Sequence, residues 1–364
     1  MKWYELTLDK LIELENGYAF KSDEYAEDGH FLIRIGNVQN GFISSQLPKY
    51  VSIPANSNLN QYVLHEGDFL MSLTGNVGRV GFIEKYHLPA ALNQRVAKIK
   101  IKDTKNIDKR FLFNYFKFED IRLKIEKLAN GAAQLNVSTK DIKSLSISLP
   151  PLAEQQRIAA LLDTADRILK QRESAIAKME NLIRSYFYEI VLKNSTTDQL
   201  FELGSVVELK YGKSLPSQNR RDGEFNVYGS NGVVGSHIES ITSGETIIVG
   251  RKGSFGEINL SLDCCFPIDT TYYIDKSATK QNIVWLRYAL ETLKLNTLNK
   301  SAAVPGLNRE DAYRQKIQLI NRNLQNDFEV RIRKIWSLIK TQNDFIHKHK
   351  RLIASLQHQS FAVN

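Results

Sequence analysis

The sequence predicts an α+β fold that is built twice: two repeated α+β units, each followed by a long helix, with the two helices paired as an antiparallel coiled coil about a pseudo-two-fold. Three observations lead to it. Short matches recur in collinear order along the chain, each copy passes from short apolar runs into helix, and each copy ends in a heptad-patterned stretch without Pro or Gly. A chain of 364 residues has room for two domains and their connectors. Its composition, 42% hydrophobic and 24% charged, excludes disorder as the main state.

The repeat opens with Leu11-Ile12-Glu13-Leu14-Glu15-Asn16-Gly17 against Val206-Val207-Glu208-Leu209-Lys210-Tyr211-Gly212. It continues with Gly67-Asp68-Phe69-Leu70-Met71 against Gly244-Glu245-Thr246-Ile247-Ile248, and Gly75-Asn76-Val77-Gly78 against Gly253-Ser254-Phe255-Gly256. Ala132-Ala133 then meets Ala302-Ala303, and Val137-Ser138-Thr139-Lys140-Asp141-Ile142 meets Leu307-Asn308-Arg309-Glu310-Asp311-Ala312. The offset drifts from 195 to 170 residues, so the second copy is shortened by deletions. Apolar runs at 31–35, 96–101 and 246–249, broken by Gly, Asn and Ser, read as strands. Helical patches follow at 110–128 and 282–298, and Pro150-Pro151 stops the last strand of the first copy. The predicted organisation is a first unit at 1–150, a helix at 151–193, a second unit at 194–321 and a second helix at 322–364.

Heptad spacing defines the two helices. Ile158, Leu161, Ala165, Ile168, Arg172, Ala175, Met179, Leu182, Tyr186 and Ile190 step by three and four, as do Phe328, Ile332, Ile335, Ile339, Gln342, Ile346, His349, Ile353 and Leu356. Such spacing over several heptads predicts a coiled-coil seam. Arg172 and Gln342 are equivalent polar intrusions near the two midpoints, so antiparallel pairing sets them opposite one another and fixes the register; Arg172 snorkelling to solvent is the plainer alternative. At 1.5 Å per residue, about 40 residues make a rod of roughly 60 Å, a spacer of defined length.

Net charge is +9, spread as +3, 0, +1 and +5 over residues 1–150, 151–192, 193–320 and 321–364. That surplus favours an anionic partner without proving one. Catalytic motifs are missing from the sequence. The single Pro-Pro begins a helix and does not belong to an Asn/Asp-Pro-Pro-aromatic methyltransferase loop, and no Walker lysine loop occurs. Asp103-Thr104-Lys105 and Glu208-Leu209-Lys210 carry part of a metal-nuclease set at a spacing that this composition yields by chance. His347 and His349 are two apart on a helix and face different ways, and the adjacent Cys264 and Cys265 suit neither a disulfide framework nor a zinc site. The expectation is a non-catalytic chain that binds no metal or cofactor. With no signal-peptide core and no apolar run of membrane length, the expected location is the cytoplasm.

What remains are turn-rich loops with hydrogen-bonding and basic side chains. The equivalent turns Thr74-Gly75-Asn76-Val77-Gly78-Arg79 and Arg251-Lys252-Gly253-Ser254-Phe255-Gly256 combine glycines, which admit close approach, with groups suited to phosphates and base edges. The candidate DNA-contacting residues are Thr74, Asn76, Arg79, Asn93, Gln94 and Arg95 in the first copy. Tyr228, Ser230, Asn231, Arg251, Lys252 and Ser254 are those of the second. Basic hairpin turns of purely structural purpose would look the same. The stretch 95–127 holds 11 basic and 5 acidic residues, matching either a phosphate-facing surface or a solvated helix face.

Leu149-Pro150-Pro151-Leu152-Ala153-Glu154-Gln155-Gln156-Arg157-Ile158 resembles the start of the conserved helix in specificity subunits of type I restriction–modification systems. The Gly-Ala-Ala-Gln-Leu-Asn run at 131–136, Tyr228-Gly229-Ser230-Asn231-Gly232 and Gly250-Arg251-Lys252-Gly253-Ser254 agree with it. The second copy departs from the signature, keeping only Gln325 of its polar residues. The resemblance implies two target recognition domains, each reading one half of a split site in double-stranded DNA, on an antiparallel coiled coil that sets the spacing. It further implies two modification subunits that methylate adenine with S-adenosylmethionine, and restriction subunits that translocate and cleave with ATP and Mg2+. Glu154, Gln155, Gln156 and Arg157 are the candidate partner contacts, although a capped, solvated first turn would read alike. Two other readings are a coiled-coil scaffold that does not read DNA and a nuclease with an unrecognised site.

Overall fold

The computed structural model describes residues 3–129, 135–194, 200–298 and 306–361. The matched pairs Ala132-Ala133 and Ala302-Ala303, and positions 131–134 of the run before the first long helix, lie outside the described residues. The chain divides into two compact units, Met1–Gln171 with Phe345–Asn364, and Arg172–Asp344.

In the first unit, Tyr4–Thr7 pairs antiparallel with Ser146–Leu149, so the strand that opens the unit meets the strand that leads to the long helix. Between them stands an antiparallel sheet in the order Val80–Phe82, Phe69–Ser72, Val96–Ile101, Ile12–Asn16. Phe69–Ser72 is buried throughout, because Phe69 and Met71 enter the core with Phe111, Leu112 and Phe116 while Leu70 points the other way against Phe31 and Ile33. The second sheet has five strands and sets Ala90–Leu92 parallel to His30–Ile33. Lys109–Lys117 forms a helix whose first turn is capped by the Asp108 carboxylate, which accepts from Phe111 N at 2.8 Å.

The second unit repeats this topology. Its four-stranded sheet runs Ile258–Ser261, Thr246–Gly250, Thr271–Ile274, Lys210–Tyr211, and Leu200–Glu202 pairs with Lys316–Gln318 as the counterpart of the first pair. A parallel pair recurs as Phe225–Gly229 with Cys265–Pro267, in a sheet of three strands. Asn282 caps Ile283–Thr292 by accepting from Trp285 N at 3.0 Å. The two missing strands belong to the span between Gly17 and Gly67, whose counterpart from Gly212 to Gly244 is shorter.

Glycines mark the equivalence most sharply. Gly75 and Gly253 have φ of 72° and 71°, and Gly78 and Gly256 have 75° and 74°, a left-handed conformation that side chains disfavour. At Gly17 an added Cβ would lie 2.3 Å from Leu92 O, and at Gly212 it would lie 2.1 Å from Ile268 O. Each copy therefore needs glycine where the strand before it, Ile12–Asn16 or Lys210–Tyr211, ends against the neighbouring backbone.

The long helices are Leu152–Asn194 and Arg322–Phe361, with 43 and 40 residues. Each unit takes the half of one helix nearest its start and the half of the other nearest its end. In the second unit Arg172 Nη1 donates to Gln342 Oε1, and the rings of Tyr186 and Phe328 stack at 5.9 Å. Moving forward from 172 to 186 thus moves backward from 342 to 328, the signature of antiparallel pairing. In the first unit Ile158, Leu162 and Ala165 share a core with Ile353 and Phe361.

The predicted seam needs two corrections. Leu161 and Leu182 are 44% and 57% exposed, whereas Leu162 and Ile183, one residue on, are each 2% exposed. Each helix half packs against its own unit as well as its partner helix, so its apolar face is wider than a two-stranded seam. Among the described residues no helix is long and apolar enough to cross a membrane.

Candidate nucleic-acid interface

In each unit four segments are stitched together by backbone hydrogen bonds at the same places. Leu73 N donates to Arg95 O at 3.0 Å and Val137 N to Leu73 O at 2.9 Å; correspondingly, Arg251 N donates to Thr270 O at 2.9 Å and Leu307 N to Arg251 O at 2.8 Å. Thr74 bridges Asn136 as Lys252 bridges Gly306, and Tyr18 bridges Asn93 as Lys213 bridges Ile268. The glycine turn, the end of the strand at Ile12–Asn16 or Lys210–Tyr211, the loop before a central strand and the lead into a capped short helix converge on one surface.

In the first unit this surface encloses a shallow cleft of about 350 Å³, lined by Asn16, Thr74, Gln94, Arg95, Asn136 and Thr139 among others. Gln94 and Arg95 are exposed, and the Asn93 carboxamide oxygen accepts from Arg95 N at 3.5 Å across their turn. Thr74 is 2% exposed and spends its hydroxyl on Asn136 Oδ1 at 2.8 Å, so it supports the cleft from beneath. Asn76 sits exposed at the turn's tip, its carbonyl accepting from Ser72 Oγ at 2.6 Å. Arg79 leaves the group, its guanidinium donating to Gln39 Oε1 at 2.9 Å.

In the second unit Asn231, Lys252 and Ser254 are exposed and Arg251 is half-buried. Ser230 is buried and donates to Thr270 O at 2.6 Å, the carbonyl that also receives Arg251 N; it fastens the hairpin tip to the glycine turn. Tyr228 is a correction: it lies in a stretch buried from Val227 to Gly229, where the strand's register shifts, and it packs with Ile248 and Cys265, so that burial pushes its phenol up. It belongs to the core of the unit and is not presented to a ligand.

Two residues join the surface that sequence reasoning did not single out. Arg251 and Arg309 each hold their guanidinium carbon 5.2 Å from the centre of the Tyr211 ring. Tyr272 lies beside them, 6.0 Å from Arg251, and donates to Leu307 O at 3.1 Å. Burial, with Tyr211 adding to it, pushes the Tyr272 phenol up to about 12 against the pull of both arginines, so it stays protonated at neutral pH. The available signal was positional, since Tyr211 and Arg309 lie within matched repeat segments whose first-copy partners, Asn16 and Thr139, are neutral.

The four partner candidates split. Gln155 is 1% exposed: its Oε1 accepts from Asp108 N, and its Nε2 donates to Asn106 O and Pro150 O, all at 2.9 Å. Gln325 is the second unit's version, accepting from Asn282 N and donating to Ile320 O, both at 2.9 Å. The polar signature residue that both copies keep is thus a buried latch on a cap, not a docking contact. Gln156 and Arg157 remain exposed, and Arg157 holds the Glu154 carboxylate below its usual range through a hydrogen bond at 2.7 Å.

The nuclease-like triplets also resolve into local structure. Asp103 accepts from Lys105 N at 2.9 Å, and Lys210 pairs with Asp275 at 3.1 Å. Among the described residues no three His, Cys, Asp or Glu side chains gather as a metal site.

Residues 1–178 match the family described as type I restriction modification DNA specificity domain. The chain is 29% identical over 192 residues to the type I restriction enzyme MjaVIII specificity subunit of Methanocaldococcus jannaschii, covering 50% of this chain and 45% of that protein. It is 30% identical over 206 residues to the EcoBI specificity subunit of Escherichia coli, covering 54% and 39%. It therefore aligns with less than half the length of these curated relatives. In fold it resembles the type I restriction–modification S subunit from M. genitalium, with TM-score 0.69, 19% identity, and coverage of 100% of this chain and 97% of that one. A chain from a structural study of complex assembly and conformational transition of the type I system follows, with TM-score 0.56, 17% identity, and coverage of 98% and 97%. Residues 1–178, just under half of the chain, are thus similar to the type I restriction modification DNA specificity domain.

Proposed function

We propose that this chain is the DNA sequence-specificity subunit of a type I restriction–modification complex. The observation that carries the reading is the convergence, in both units, of the same four segments on a surface bearing Gln94 and Arg95 in one case and Asn231, Arg251, Lys252 and Ser254 in the other. Each recognition unit (1–150 and 194–321) reads one half of a bipartite site in double-stranded DNA. The helices at 151–193 and 322–364 form the spacer and dock two methyltransferase subunits, with Glu154, Gln156 and Arg157 offered at one helix start. The chain performs no catalysis itself; S-adenosylmethionine, ATP and Mg2+ serve the modification and restriction subunits, and the complex works in the cytoplasm.

The test compares modified adenines genome-wide in cells with and without the gene. Loss of one bipartite motif on deletion is the expected result and supplies the target. An unchanged pattern, in cells where the methyltransferase subunits are expressed, would overturn the reading in favour of a scaffold that does not read DNA.

A further inference from the structure

We propose that Arg251 and Arg309, set around Tyr211, form a phosphodiester clamp that the second unit has and the first lacks. The inference rests on the DNA-reading function and adds to it the ligand group these residues take.

Two like charges beside one half-exposed ring repel each other unless an anion joins them. Among the described residues the protein offers only a loose and exposed one, the Glu310 carboxylate. Among the described residues neither guanidinium makes a hydrogen bond, Arg309 Nε is buried without one, and the carboxylate nearest to it, Glu310, is 4.0 Å away. Arg122, by contrast, is satisfied internally by Glu119 and Glu126. The positions are also rigid. Arg251 is pinned through its backbone on both sides, to Thr270 and Leu307, and Arg309 opens a short helix capped by Asn308. Tyr211 holds each guanidinium carbon 5.2 Å from its ring centre by cation–π contact. Forked donors fixed in advance around a site whose internal anion is loose suit a phosphate.

The repeat sharpens the inference. The residues equivalent to Tyr211, Arg251 and Arg309 are Asn16, Leu73 and Thr139, all neutral, and the first unit's cleft has one guanidinium, Arg95, from another loop. The same place in the fold is thus cationic in one copy and chiefly amide and hydroxyl in the other.

The experiment measures anisotropy of two labelled duplexes of unrelated sequence, titrated with the full chain across a range of NaCl concentrations. For the R251Q/R309Q double variant, binding to both duplexes should weaken equally, and the slope of log K against log salt should become shallower by about 1. R251K/R309K should keep the wild-type slope, and R122Q should change neither slope nor affinity. Because neither arginine is held closely by an internal anion, the melting midpoint of R251Q/R309Q should equal that of the wild type or rise. An unchanged slope, weakening confined to one duplex, or a melting midpoint lowered by several degrees would each overturn the clamp while leaving the DNA reading intact. A wild-type chain that binds neither duplex would overturn both.

Discussion

Replacing Gln155 by Met removes a buried amide at nearly constant volume. Three partners lose their hydrogen bonds: Asp108 N, Asn106 O and Pro150 O, each now at 2.9 Å. A buried polar group left unpaired costs about 1–3 kcal/mol, and the lower end for each of three gives a loss of about 3 kcal/mol. For a unit of this size, about 2–4 °C of melting temperature accompanies each kcal/mol, so the first unit should melt roughly 6–12 °C lower. Calorimetry of the full chain reads it directly. Gln156→Met, one residue on and exposed, should change stability by less than about 0.5 kcal/mol. A Q155M chain that melts within about 1 °C of wild type yet fails to assemble would show that the amide serves a partner and that its latch role is wrong.

Other consequences can be tested in the same way. G17A and G212A should each destabilise by about 3 kcal/mol or more in chemical denaturation, because the new Cβ meets backbone at 2.3 and 2.1 Å. G67A, where nothing lies within 4 Å and only φ of +79° opposes the substitution, should cost about 1 kcal/mol, and equal losses at all three sites would refute the close-approach account. His87 is buried, accepts from Glu84 N at 2.9 Å and contacts Ile43 O at 3.1 Å, and burial lowers its pKa below 6.5. Below that value the unfolded chain takes a proton that the folded one refuses, so stability falls as pH drops from about 7 to 5. H87Q should fall less over that window, and identical urea midpoint profiles would count against the assignment. R172C/Q342C should form a disulfide under mild oxidation, seen as a mobility shift; a disulfide from R172C to a cysteine placed at position 328 instead would overturn the register.

The repeat was legible because its glycines answer to backbone geometry that no other residue meets cheaply, at 75 and 78 as at 253 and 256. The long helices were legible from heptads, and the polar pair at 172 and 342 from its position alone. Seam detail was less so. Leu161-Leu162 and Leu182-Ile183 each offer adjacent apolar residues, and a spacing of three or four accepts either until the packing of the globular unit selects one. Gln155 looked like a solvated first-turn residue, because nothing local reveals that the loop before Lys109–Lys117 folds over it. Tyr228 lies in a stretch buried from Val227 to Gly229, although its Gly-Ser-Asn surroundings suggested a loop. Tyr211 and Arg309 come from distant stretches of chain, brought together by the pairing of Tyr211 with Tyr272 and by the bonds of Leu307 to Arg251 and Tyr272.

The buried glutamines have a consequence for building chimeras. The obvious graft junction, at Pro150-Pro151, would part the Gln155 amide from Asp108 and Asn106 unless both sides came from one parent. The same fault would arise where Gln325 clasps Asn282. A transplantable unit therefore carries half of each long helix with it, and sound crossover points fall near 171 and 344, where the two compact units divide.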